Sequence, residues 1–323
     1  MKFFFLFEFR DGSWGGGNQF LKALRKELAR ANAYAPTFSQ SDVILFNSHH
    51  NIRDVVKARR QLPGTLFIHR VDGPMAYRGL DGEKVDKKIS FLNRKLADGT
   101  VFQSSWSRTA CYKAGYEANR FEVVIPNAPD PDLFYPGPAQ SVDGRKIRLV
   151  STGWSTDENK GAEFLRFLDE ALDFSRYRFN FVGRSARKFK NINILAPMTS
   201  VELGKFLRSQ DIFVFTSKYE ACSNSLLEGR HCGLSIIALD SSSNPEVVEG
   251  QGELFSTKQD LLTKIEQVAQ TLTSGGRREI RVQKIDQIGR CYIDFAREIK
   301  ASVDAGLYST KHWTTFDFIR SLI

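Results

Sequence analysis

The chain has 323 residues, 41% of them hydrophobic and 26% charged, with a formal net charge of +9. That length exceeds one comfortable core and suits two domains, and the ordinary globular composition excludes a fibrous or wholly disordered chain. The positive charge is spread along the sequence with no basic, aromatic-interleaved helix, so it points to anionic substrates or an anionic membrane face and not to nucleic acid.

Cys111, Cys222, Cys232 and Cys291 show no C-x-x-C spacing and no histidine at metal-ligand spacing, which reads as reduced thiols in a cytosolic protein. The opening MKFFFLFEF is too short an apolar run for a signal peptide, is interrupted by Glu8 and Arg10, and lacks a small-residue cleavage site. It reads as a first buried strand. Nothing approaches the ~20 apolar residues of a transmembrane helix.

A glycine-rich loop from Gly12 to Asn18 follows, then an amphipathic helix from about Gln19 to Arg30 with Phe20, Leu21, Leu24 and Leu28 on one stripe. As a dinucleotide fingerprint the loop fails: Phe20 stands where a third glycine belongs, and Asp42 precedes the strand Val43 to Phe46 instead of ending it. Asn47-Ser48-His49-His50 closes that strand. Leu66 to Ile68 forms a third, leading into His69-Arg70-Val71-Asp72-Gly73-Pro74, where Arg70 and Asp72 also suit a purely structural pairing. Asp98 to Gln103 is a further strand, and Ser104-Ser105-Trp106-Ser107 caps the next helix. Val123 to Ile125 then leads into Pro126 to Phe134. Within that stretch Asp130-Pro131-Asp132 spells D-x-D, but the prolines make it a stiff connector and no metal site is expected there.

Pro136 to Arg145 is the expected linker. A second series of strands and helices begins at Ile147 to Val150, followed by Gly153-Trp154-Ser155, then Lys160-Gly161 before a helix from Ala162. Phe179 to Val182 is a strand ending at Gly183 and Arg184. A helix from Ser200 to Ser209 precedes the most informative stretch, Asp211 to Glu249. There Ile212 to Phe215 is a buried strand, Glu220 sits in a polar turn, and Ser223-Asn224-Ser225 caps a short helix beginning with Leu226, Leu227 and Glu228. Gly233 stops that helix and Leu234 to Leu239 is the next strand. The loop therefore stands at the carboxyl end of a parallel strand, where open α/β sheets take ligands. Its helix N-terminus suits a diphosphate, and Glu228 suits vicinal ribose hydroxyls. The plainer alternative is a pair of solvated helix-end charges. Strand Gly250 to Phe255, helix Lys258 to Leu272 and a long charged helix from Arg277 to Ile299 complete the series.

The spacing Glu220-x7-Glu228, within EACSNSLLEG, CGLSIIA and SSSNPEVV, resembles the donor loop of glycosyltransferase family 4. Those enzymes are retaining nucleotide-sugar glycosyltransferases of GT-B architecture. The resemblance implies two Rossmann-like, doubly wound α/β domains facing a central cleft: residues 1–140 on the acceptor side, 141–305 on the donor side, and 306–323, including His312 and Trp313, crossing back to the first. It implies transfer of a sugar from a nucleotide-diphosphate sugar to a hydroxyl acceptor (a glycan, a lipid-linked or a small acceptor) with no cofactor and no metal. Glu220, His69 and Lys160 would be catalytic; Gly17, Arg184, Ser223, Asn224, Ser225 and Glu228 would bind the donor. The family's G-R…K-G loop keeps its lysine here as Lys160, whereas Trp154 replaces the arginine, and Arg184 is the candidate substitute. Synthesis of cell-surface glycan or glycolipid in the cytoplasm, with peripheral contact at the inner membrane face, completes the expectation. Two rivals use the same loop: a sugar-nucleotide epimerase and a non-catalytic nucleotide-sugar binding protein.

Overall fold

A computed structural model describes residues 1–12, 15–79, 81–138, 141–153, 158–185, 188–276 and 280–313. In chain order the first half contains β1 (Phe3–Leu6), α1 (Gly16–Arg30), β2 (Val43–Asn47), α2 (Ile52–Gln61), β3 (Leu66–Val71), α3 (Gly82–Leu96), β4 (Gly99–Phe102), α4 (Ser105–Lys113) and β5 (Glu122–Val124). There follow β6 (Ile147–Gly153), α5 (Ala162–Ala171), β7 (Tyr177–Gly183), β8 (Asn193–Leu195), α6 (Ser200–Leu207) and β9 (Ile212–Phe215). The last are α7 (Asn224–His231), β10 (Ser235–Leu239), α8 (Asn244–Val248), β11 (Glu253–Phe255), α9 (Lys258–Thr273) and α10 (Ile285–Asp304). The chain forms two compact units, one from Met1–Phe9, Leu21–Asn127 and the chain from Ile285, the other from Arg10–Phe20 and Ala128–Lys284.

The first unit holds a parallel sheet in the order β1-β2-β3-β4-β5. β2 and β3 are buried along their whole length, as expected of strands covered on both faces. Ile44, Phe46 and Phe67 pack on Val55 and Ala58 of α2 and Leu92 and Leu96 of α3. On β4, a side chain at Gly99 would collide with Phe295 and Ile299 of α10, so this glycine lets the long helix lie against the sheet. α10, assigned from sequence to the donor side and expected from Arg277, thus begins at Ile285 and groups with the first unit.

Asp98, fully buried, fastens the chain's last described segment to this unit. One carboxylate oxygen accepts from Arg59 Nη2 at 2.9 Å, Tyr308 OH at 3.0 Å and the Lys311 amide at 2.8 Å; the other accepts from the Phe67 amide at 2.8 Å. Trp313 is buried beside Phe91.

The second unit holds a parallel sheet in the order β11-β10-β9-β6-β7-β8. The chain runs outward from β6 through β7 to β8, then returns to the other side of β6 and continues through β9, β10 and β11. One face packs Leu165 and Leu168 of α5 and Leu261 and Ile265 of α9 against Leu149, Phe179, Ile212 and Val214. The other packs Leu203 of α6 and Leu226 of α7 against Val150, Phe213 and Phe215. The reversal between β6 and β9 is a topological switch point. Loops leaving the carboxyl ends of two such strands diverge to opposite faces and leave a crevice for a ligand.

Candidate active site

Both loops at that switch point carry the charged residues singled out by the sequence. The loop after β6 ends at Lys160, and the loop after β9 carries Glu220. Lys160 Nζ and Glu220 Oε1 are 2.5 Å apart, with the two side chains 35% and 15% exposed. Ser217 Oγ donates to the same carboxylate oxygen at 2.7 Å, and Thr216 Oγ1 donates to the Lys160 carbonyl at 2.8 Å. Gly161 follows at φ +74°, and any Cβ there would lie 2.1 Å from the Thr216 carbonyl oxygen. Only glycine allows these two loops to touch at that point.

α7 springs from the same loop. Ser223 is its N-cap, accepting from the Leu226 amide at 3.3 Å and lying 3.1 Å from Ser225 Oγ. Asn224 and Ser225 are half-buried in the first turn, where the free amide N–H groups and the positive end of the helix dipole lie. Gly229 brings the helix onto β9, since a Cβ would come within 2.8 Å of the Phe213 ring. Glu228, one turn in, is 7% exposed, and no hydrogen-bond donor meets its carboxylate among the described residues. Burial alone pushes its pKa up to about 8. A carboxyl group kept in such a place is poised to accept from hydroxyls that a ligand brings.

The glycine loop is shorter than expected, because Gly16, Gly17 and Asn18 already belong to the first turn of α1. Gly16 makes the close approach: a Cβ there would lie 2.5 Å from Asn224 Nδ2, so the segment Arg10–Phe20 rests on the first residue of α7. Gly17, the expected donor contact, has open space beside it. Asn18 is buried and ties the segment down, accepting from the Arg10 amide at 3.0 Å and donating to its carbonyl at 2.9 Å. Arg184 is exposed just after β7, its amide bonded to the Gly153 carbonyl at 3.0 Å, which places its backbone beside the start of the loop to Lys160. Trp154 lies outside the described residues. In the D-x-D segment Asp130 accepts from the Asp132 amide at 3.0 Å, a local turn.

His69 does not take the catalytic place expected of it. β3 runs on to Val71, so His69 lies inside the strand on the same face as Phe67, under α3. It is fully buried, stacked on Phe46 with ring centroids 4.3 Å apart. Its Nε2 donates to the Ser48 carbonyl at 2.9 Å while its Nδ1 accepts from Asn93 Nδ2 at 3.0 Å. Burial depresses its pKa to about 4, so the ring is a neutral piece of the core.

One group of residues bracing the Glu220 loop was missed. The β10–α8 connection braces the Glu220 loop: Ser242 Oγ accepts from the Glu220 amide at 3.0 Å, Ser241 Oγ donates to the Lys218 carbonyl at 2.7 Å, and buried Asn244 donates to the Ser217 carbonyl at 3.0 Å. In the first unit, the ends of four strands are laced by polar side chains. Arg70 donates to Asn47 at 2.5 Å, Asp72 at 3.1 Å and Asn127 at 2.8 Å, and Gln103 donates to Asp72 at 2.7 Å. The signal for the missed group was present, since Ser241, Ser242 and Asn244 all follow the apolar strand β10, and the Arg70–Asp72 pairing is the one that the sequence suggested.

The fold is α/β with two parallel sheets, that of the GT-B glycosyltransferases. Residues 147–273, most of the second unit, match the family described as glycosyl transferases group 1. Sucrose-phosphate synthase from Thermosynechococcus elongatus superposes with a TM-score of 0.67 at 13% identity, covering 100% of this chain and 98% of that one. Anabaena HepE, solved in complex with UDP-glucose, gives 0.65 at 14% identity over 94% and 100%. The pneumococcal O-GlcNAc transferase GtfA, solved with UDP and GlcNAc, gives 0.56 at 13% identity over 80% and 57%. In sequence, an uncharacterized 41.2 kDa protein in the cps region of Klebsiella pneumoniae is 25% identical over 185 residues, 52% of this chain and 51% of its own. The chain thus spans about half the length of the curated relative it matches.

Proposed function

We propose that the protein is a retaining glycosyltransferase of family 4 that moves a hexose from a nucleotide-diphosphate sugar to a hydroxyl acceptor without a metal ion. The observation that carries this reading is the meeting of Lys160 and Glu220 at the switch point of the second sheet, on the loop that leads into α7 and its buried Glu228. The match to glycosyl transferases group 1 over this same segment supports it, and the UDP-sugar complexes of HepE and GtfA support a nucleotide-sugar donor.

The chemical task is to stabilise a diphosphate whose charge grows as the glycosidic bond breaks. Lys160 and the amide groups of Asn224 and Ser225 supply that charge, with Arg184 as a second cation. These groups are worth most in the transition state, where the leaving oxygen is most negative. Glu228 binds the ribose hydroxyls. Glu220, released from Lys160 when the diphosphate takes over the ammonium, orients the sugar and steadies positive charge at its anomeric carbon. The acceptor hydroxyl attacks on the face from which the diphosphate departs and gives its proton to the departing diphosphate oxygen, so the configuration is retained.

Glycan or glycolipid synthesis at the inner face of a membrane is the setting that the net charge of +9 supports. No helix among the described residues is long and apolar enough to cross a membrane. The test is incubation with a panel of nucleotide-diphosphate sugars and hydroxyl acceptors, followed by detection of free nucleotide diphosphate and the anomeric coupling of the product. Transfer with retained configuration is expected. Interconversion of the sugar still attached to its nucleotide would mean an epimerase, and binding without turnover across the panel a non-catalytic subunit.

A further inference from the structure

Glu228 takes its place from a helix that could not hold it unaided. α7 has eight residues, against the roughly 12–15 at which an isolated helix becomes even marginally stable. It also buries the Glu228 carboxyl where no hydrogen-bond donor meets it among the described residues, a cost that favours rolling the acid toward water. Arg230 is placed to resist that roll. Two residues on, it leaves the helix about 200° round from Glu228, and it is fully buried. Its Nη1 donates to the Val247 carbonyl of α8, and its Nη2 donates to Glu249 Oε2 at 3.0 Å and to the Arg281 carbonyl at 2.9 Å.

One guanidinium thus ties α7 to the end of α8 and to the chain at Arg281, whose own amide donates to Gln251 Oε1 at 2.5 Å. Asn244, the first residue of α8, donates to the Ser217 carbonyl of the Glu220 loop. The arginine therefore fixes α7 against the same short helix that braces that loop. His231, the next residue, cannot replace it. Its Nδ1 lies 2.8 Å from the Leu227 carbonyl and its Nε2 3.2 Å from the Gln283 carbonyl, yet burial lowers its pKa, and a neutral ring has one N–H for two carbonyls. The guanidinium has a donor for each of its partners. Burial alone raises the Glu228 pKa, so the guanidinium charge is not felt at that carboxyl and the link between the two is mechanical.

We propose that Arg230 is a positioning residue for the nucleotide site: without touching the ligand, it holds α7 against α8 and the Arg281 backbone so that Glu228 meets the ribose hydroxyls. This rests on the transferase reading above, which supplies the ribose.

Calorimetric titration of UDP, GDP and ADP into the native protein, Arg230→Met, Glu228→Ala and the double variant tests it, at a temperature where melting curves show every protein folded. Methionine fills the space of the arginine without donating to its partners. The nucleotide that binds the native protein should bind Arg230→Met more weakly by roughly tenfold or more. In the Glu228→Ala background the same change should cost less than about threefold, because the contact it serves is already gone. Should Arg230→Met fail to fold, Arg230→Lys, which keeps the charge but cannot reach three acceptors at once, makes the same comparison. Native affinity in the Arg230 variant, or an equal loss in both backgrounds, overturns the positioning role and leaves the donor reading standing. A native protein blind to all three nucleotides would sink the transferase reading and this inference with it.

Discussion

Lys160 and Glu220, sixty residues apart in the chain, meet at 2.5 Å because β6 and β9 lie side by side where the strand order of the second sheet reverses. Without a ligand the ammonium is neutralised by the very carboxylate proposed to face the sugar. In the proposed reaction a diphosphate draws the lysine over, which frees Glu220 for the next step.

Replacing Lys160 by Ala should therefore act on chemistry more than on folding. Transfer is expected to fall by well over tenfold, more than about 1.4 kcal/mol, while a partly exposed ion pair of this kind contributes about 0–1 kcal/mol to stability. Steady-state kinetics beside a urea melt separates the two; near-normal turnover would remove Lys160 from the mechanism.

Glu228 gives a pH signature. Its folded pKa of about 8 lies above the ordinary carboxylate value, so the native state holds this proton where the unfolded chain has lost it. Stability conferred on the ligand-free protein is thus present at acid pH and lost as pH rises from the unfolded value through about 8. Ribose hydroxyls favour the ionised form, so nucleotide affinity should climb by roughly tenfold or more between about pH 6 and 8. Glu228→Gln should flatten that profile in calorimetry. A flat profile in the native protein would contradict the ribose assignment.

Gly229→Ala should report on the seating of α7. The added methyl meets the buried Phe213 ring at 2.8 Å, and overpacking of this kind costs about 1–3 kcal/mol. A lowered urea midpoint accompanied by weaker nucleotide binding is expected, since the helix that lifts off β9 carries both Ser225 and Glu228. An unshifted midpoint would mean that α7 has room to spare.

Asp98→Ala should be among the most damaging substitutions outside the site. It leaves Arg59 buried without its carboxylate, a loss of about 3–5 kcal/mol, and removes the acceptor that holds Tyr308 and Lys311. Brief trypsin treatment under native conditions should then cut at Lys311 faster than in the parent protein. Equal resistance would show that Trp313 and Thr310 alone hold the segment.

The second unit was the more legible half. Ile212 to Phe215 is an uninterrupted apolar run bounded by a turn, and the Ser223 cap, the buried Glu228 and Gly233 at φ +79° sit where the pattern put them. Local signals suffice there because cap, stop and strand are each set by a residue or two. The first unit was less readable, since its features depend on packing between distant segments. β3 continues through His69 and Arg70 because α3 and the Asn47–Asn127 lacing bury both, so a histidine that reads as a loop ligand is core. α2 escaped notice because its buried stripe includes Arg59, whose partner Asp98 lies 39 residues away. Which glycine touches α7 was also hidden: Gly16 and Gly17 look alike until Asn224 is placed beside one of them.

The central claim is that the β6–β9 switch point holds a nucleotide diphosphate. Isothermal titration of UDP, GDP and ADP into the native protein and into Lys160→Ala and Glu228→Ala variants tests it most directly. One base should bind the native protein and lose at least about tenfold in each variant. Failure of all three to bind, or affinity untouched by both substitutions, would contradict the account.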